Sequence, residues 1–124
     1  REITLNKERF LKLLNKTRIS ISNDDTRHYL NGVFLHITEA NGQNFLTGVA
    51  TDSHRLSSSS LEINNAEEFK SLILPRKTVF QLSTLLTEIQ GELLMQTSEN
   101  KIKFSFNRIK SSSYTISCSS LPAH

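Results

Sequence analysis

The strongest constraint on this chain is a pattern that occurs twice. Leu5-Asn6, Phe10 and Leu13 fall at the same spacing as Leu74-Pro75, Val79 and Leu82, and segments of strand character follow each set. Phe10, Leu13, Leu14 and Thr17 recur at the helical period, so Leu5–Thr17 reads as an amphipathic helix with Asn6 as a plausible N-cap. Val79, Leu82, Leu86 and Ile89 form the second stripe, with Pro75 suited to its first turn and Gly91 closing it. Such stripes must be buried against another layer. The repetition has two readings: a duplicated strand–helix–strands unit, or two unrelated amphipathic helices that happen to align.

The segments between the helices read as strands. Leu30–Thr38 and Phe45–Ala50 flank the turn-forming Asn41-Gly42-Gln43-Asn44, which predicts a hairpin. Further strands are expected at Arg55–Ile63, Lys70–Leu74, Glu92–Thr97 and Lys101–Phe106, with Ser98-Glu99-Asn100 as the last turn. In Lys101–Phe106 the residues Lys101, Lys103 and Ser105 alternate with Ile102, Phe104 and Phe106, which marks a strand with one wet face. The expectation is an α+β fold with two helices packed on one side of antiparallel sheet of about eight strands. At 124 residues the chain suits a single domain spanning 1–124.

Charge and composition exclude several classes. No apolar run approaches the ~20 residues of a membrane helix, and no signal-peptide pattern opens the chain. The lone Cys118 rules out an internal disulfide and a multi-cysteine metal site, and a cytoplasmic setting fits. Net charge is +3, but six basic residues (Arg1, Lys7, Arg9, Lys12, Lys16, Arg18) cluster at the start against Glu2 and Glu8. This is either a solvated helix face or a surface for a polyanion.

The densest chemistry lies in Val49-Ala50-Thr51-Asp52-Ser53-His54-Arg55-Leu56. A catalytic reading needs Asp52 to orient His54 and His54 to activate Ser53. Adjacent residues of one strand cannot converge that way, since Asp52 and His54 would share one face and Ser53 the other. A metal reading has two ligands at most, because His28 and His36 add no cluster. On the residues alone, an ordinary strand-to-turn junction is the better reading.

The segment nevertheless resembles the ATDGHRL signature of bacterial DNA polymerase III β subunits, the sliding clamps. Arg27-His28-Tyr29-Leu30-Asn31-Gly32 resembles the family's RYYLNG segment, and Leu74-Pro75-Arg76-Lys77 its VPRK segment. The three matches are ordered and together cover roughly Leu5 to Phe106. Ser53 stands where the family usually has Gly, and His28 replaces the first of two tyrosines. The stretch 107–124 departs from the family's usual SKLVDGxFPDY-like ending, so the last strand need not follow the pattern.

The resemblance implies the DNA-clamp fold, each domain built of two similar halves with helices facing a pore and sheets facing out. It implies the middle domain of three, in a subunit that closes head-to-tail with a second into a ring; this fragment alone would be monomeric. The function implied is non-catalytic: a processivity factor encircling duplex DNA, with no cofactor, no metal and no membrane partner. Lys7, Arg9, Lys12, Lys16, Arg76 and Lys77 would face the DNA, with Asp24, His28 and Tyr29 near it at the ring face. Leu30, Thr51, His54, Arg55 and Leu56 would form one wall of a pocket. There the replicative DNA polymerase, the clamp loader and other proteins with a clamp-binding motif insert a short apolar peptide. A stand-alone nucleic-acid-binding module with a basic helix is the alternative, and a hydrolase centred on Asp52 and His54 ranks third.

Overall fold

The computed structural model describes residues 2–23, 31–64, 69–89, 91–99, 101–107 and 113–119. Strand β1 (Glu2–Asn6) leads into helix α1 (Lys7–Thr17) and a 3₁₀ turn at Arg18–Ser20. Strands β2 (Gly32–Ala40), β3 (Gln43–Thr51) and β4 (Leu56–Ile63) follow. The order then repeats: β5 (Leu72–Pro75), α2 (Arg76–Leu85), a 3₁₀ turn at Leu86–Glu88, β6 (Glu92–Thr97), β7 (Lys101–Asn107) and β8 (Ser113–Ser119). The repeat in the sequence is therefore a repeat of structure.

The sheet is not continuous. It divides into two antiparallel four-stranded sheets, ordered β1-β6-β7-β8 and β4-β3-β2-β5. Each holds three strands of one half and the first strand of the other. The exchange is reciprocal in register: Asn6 pairs with Glu92 and Leu5 with Leu93, while Pro75 pairs with Gly32 and Leu74 with Val33. Neither half can complete its sheet without the other, which ties them into one folding unit.

Two boundaries differ from the sequence reading. Leu5 and Asn6 belong to β1 rather than to the helix, because Ile3 and Leu5 alternate inward on a strand paired with β6. Asn6 keeps extended angles and caps α1, its Oδ1 accepting from the Arg9 N–H at 3.0 Å. Likewise Pro75 ends β5, and α2 begins at Arg76. The hairpin at Asn41-Gly42 forms as expected, both residues at positive φ as a two-residue turn requires. Strand β8 also forms, pairing Phe104 with Ile116, although its sequence departs from the family's usual ending.

The core lies between the helices and the inner faces of the two sheets. Phe10, Leu13 and Leu14 of α1, Val79 and Leu82 of α2, Val33, Leu35 and Leu46 of one sheet and Phe104 of the other are fully buried. Gly48 permits a close approach of helix to sheet: a Cβ there would lie 2.7 Å from Leu13 Cδ2, so α1 settles directly onto β3. The buried hydroxyls of Thr17 and Ser83 donate to the carbonyls of Leu13 and Val79, which satisfies them within their own helices. No helix among the described residues is long and apolar enough to cross a membrane.

Candidate peptide-docking turn and basic helix face

The three motif segments converge. Gly32 opens β2, Thr51 ends β3, Leu56 opens β4 and Pro75 ends β5, so all four lie at one end of the same sheet. Contacts there are direct: the Arg76 N–H donates to the Asn31 carbonyl at 3.1 Å, and a Cβ on Gly32 would collide with the Leu74 carbonyl oxygen. That collision requires glycine at position 32.

Asp52–Arg55 is a turn between β3 and β4, as the strand-to-turn reading expects, so the strand geometry set against a triad does not extend through these residues. Thr51 pairs with Leu56, and the four residues between them reverse the chain. Asp52 organises the turn. Its Oδ1 accepts from the backbone N–H groups of His54 (2.9 Å) and Arg55 (3.0 Å), and its Oδ2 meets Arg55 Nε at 3.2 Å. The carboxylate is thus committed to the turn and not to the His54 ring, and this is the reason a triad fails. The Thr51 hydroxyl donates to the Arg55 carbonyl at 2.7 Å and accepts from the Ser53 N–H at 3.2 Å. Its proton is thus engaged within the turn.

The His54 and Arg55 backbone N–H groups, and secondarily the Arg55 side chain, hold the Asp52 carboxyl below its ordinary value of 3.8. A depressed carboxylate pKa contributes order that is present above the ordinary value and lost as pH falls through the lowered one. We predict that the His54 and Arg55 amide proton shifts titrate together with a midpoint below 3.8. A midpoint at or above that value would exclude the bonds.

Ser53 sits at φ +80°, in the left-handed region. A residue with a Cβ is disfavoured there by about 1–2 kcal/mol, and glycine is not. The reservation raised by serine at this position is therefore physical. Ser53→Gly is expected to raise stability by about 0.5–1 kcal/mol, once the extra freedom of glycine in the unfolded chain is offset. An unchanged or lower denaturant midpoint would contradict the strain.

The turn leaves the first residue of β4 in solvent. Leu56 is 69% exposed and, among the described residues, Ile19 at 60% is the other large hydrophobic side chain so placed. The Ser20 and Ser57 hydroxyls lie 2.6 Å apart, which brings the 3₁₀ turn carrying Ile19 beside the start of β4. Sequence reading missed Ile19; its signal was an isoleucine immediately past the apolar stripe of α1. Leu30, Asp24, His28 and Tyr29 lie outside the described residues.

The basic residues divide into two groups. Arg9, Lys12 and Lys16 lie on one face of α1 and, with Phe45 and Ser58–Glu62, line an open groove of about 490 Å³ along β4. Lys7 is half-buried and does not line that groove. Arg76 and Lys77 stand apart, at the start of α2. Among the described residues no three His, Cys, Asp or Glu side chains gather as a metal site would require.

The family model for the DNA polymerase III beta subunit, central domain, matches residues 4–120. The chain belongs to that family. A beta sliding clamp of Caulobacter vibrioides is 33% identical over 105 residues, covering 84% of this chain and 28% of the relative. That of Escherichia coli K12 is 35% identical over 102 residues, covering 82% and 27%. Among solved structures, a DnaN sliding clamp from Bartonella birtlesii bound to griselimycin superposes with TM-score 0.85 at 34% identity, covering 99% of this chain and 32% of that one. Caulobacter crescentus pol III beta gives 0.87 at 28% identity, covering 99% and 32%. The chain thus spans under a third of the length of its β-clamp relatives. The two-helix, two-sheet α+β unit is the clamp-domain fold, and β8 falls within the family match despite its divergent sequence.

Proposed function

We propose that the chain serves as the middle domain of a ring-shaped DNA sliding clamp, a non-catalytic processivity factor in the cytoplasm. The observation that carries this reading is the match to the central-domain family over residues 4–120, in a chain that spans under a third of its clamp relatives. A ring that encircles duplex DNA holds it by topology and needs no tight contact. Its inner wall serves best if mildly basic, attracting phosphates while leaving the duplex free to slide. Arg9, Lys12 and Lys16 on one face of α1, with Lys7, Arg76 and Lys77, suit that wall. Asp24, His28 and Tyr29 are assigned near the DNA by resemblance.

The second role is recruitment. Leu56, Arg55 and His54, held out by the Asp52 turn, form one wall of a pocket for a short peptide with apolar anchors, completed by Leu30 and supported by Thr51. The replicative polymerase, the clamp loader and other proteins carrying such a motif are the partners. Ring closure belongs to the longer protein, as a homodimer; this segment alone is expected to remain monomeric.

The DNA reading predicts weak duplex binding by the chain, confined to low salt. In a fluorescence titration, Lys12→Gln and Lys16→Gln should each reduce the slope of log affinity against log salt by up to about 0.9. Tight binding that persists at high salt would favour a stand-alone nucleic-acid module over a ring domain.

A further inference from the structure

The end of α1 and the start of α2 meet over a single aromatic ring. Arg18, the C-cap of α1, places its guanidinium carbon 5.6 Å from the centroid of Phe80, and Arg76, the first residue of α2, places its own at 4.8 Å. Both side chains are half-buried, and Phe80 packs against the core. Among the described residues neither guanidinium meets a carboxylate, and Arg76 Nε is buried without a hydrogen-bond partner. Two like charges with no carboxylate beside them among the described residues repel, and the electron-rich ring face offsets only part of that.

We propose that Arg18, Phe80 and Arg76 form a phosphodiester-binding clamp, with Phe80 as the platform that orients both guanidiniums. A guanidinium near a ring face is restrained in rotation, which fixes the direction in which its terminal N–H groups meet phosphate oxygens, while the buried Arg76 Nε stays beneath the surface. Arg18 drew attention only as part of a basic cluster, and Phe80 not at all. The inference rests on the reading of the helices as a DNA-facing wall, and deepens it by naming a built phosphate site.

The test uses the whole chain and a short duplex oligonucleotide at several salt concentrations. Arg18→Gln and Arg76→Gln should each lower the salt slope by about 0.9. Phe80→Leu keeps an apolar filler but removes the ring, and should weaken binding about fivefold with both arginines present. Phe80→Tyr restores a ring face and should bind like the wild type. Lys101→Gln, on the exposed side of β7, should change nothing. If all the Arg18, Arg76 and Phe80 variants bind duplex with unchanged affinity and slope, the clamp is overturned while the DNA-facing wall stands. If the wild type binds no duplex even at low salt, the DNA-facing wall fails, and inorganic tripolyphosphate decides the site separately. Shifts of the Arg18 and Arg76 Nε–H resonances in wild type but not in Phe80→Leu support it; absence of shifts in the wild type overturns it.

Discussion

Leu56→Asp is expected to abolish binding of a clamp-binding peptide, reducing affinity at least about a hundredfold. Burying a leucine against an apolar anchor is worth about 1.5–3 kcal/mol, and each 1.4 kcal/mol is a factor of ten. A carboxylate at the same place loses that gain and must also be desolvated without a counter-charge. The fold should not suffer, because Leu56 is 69% exposed and opens β4 beyond the core. Substitutions at such positions usually change stability by no more than about 0.5 kcal/mol. The two readouts separate cleanly: fluorescence anisotropy of a labelled peptide with the whole subunit, and the thermal midpoint. Retained peptide affinity would remove Leu56 from the pocket; a large fall in midpoint would mean that its role is structural.

Phe10→Ala is expected to destabilise the chain by about 3–5 kcal/mol, the range for truncating a buried phenylalanine. Phe10 is fully buried and its ring stacks on Phe104, with centroids 5.9 Å apart at 29°. Phe10 belongs to α1 and Phe104 to β7, so this contact joins the two halves independently of the strand exchange. Domains of this size have about 5–15 kcal/mol in total, so the variant should populate unfolded chain under mild denaturant. A loss under about 1 kcal/mol in a urea melt would show that the cavity collapses and that the junction relies on the exchanged strands.

Much of this was legible in advance because the signals were local. Helical stripes, the Asn6 cap, the Asn-Gly hairpin and the period-two pattern of Lys101–Phe106 each depend on neighbours a few residues away. The β1–α1 boundary was misread because Leu5 continues an apolar pattern that suits both elements; only its pairing with Leu93 decides that it lies on a strand. The division into two sheets was invisible for the same reason, since the partners of β1 and β5 come from the opposite half.

The site shows the same split. Sequence alone singled out VATDSHRL as unusual, supplied the family resemblance and raised the doubt about Ser53. Tertiary structure closed Asp52–Arg55 into a turn held by the Asp52 carboxylate, engaged the Thr51 hydroxyl within it, and set the 3₁₀ turn carrying Ile19 beside the start of β4. It also gathered Arg18 and Arg76 over Phe80. Residue identity and period fix what each short segment prefers, whereas hydrogen bonds between distant segments fix which preferences are realised and which side chains are left facing solvent.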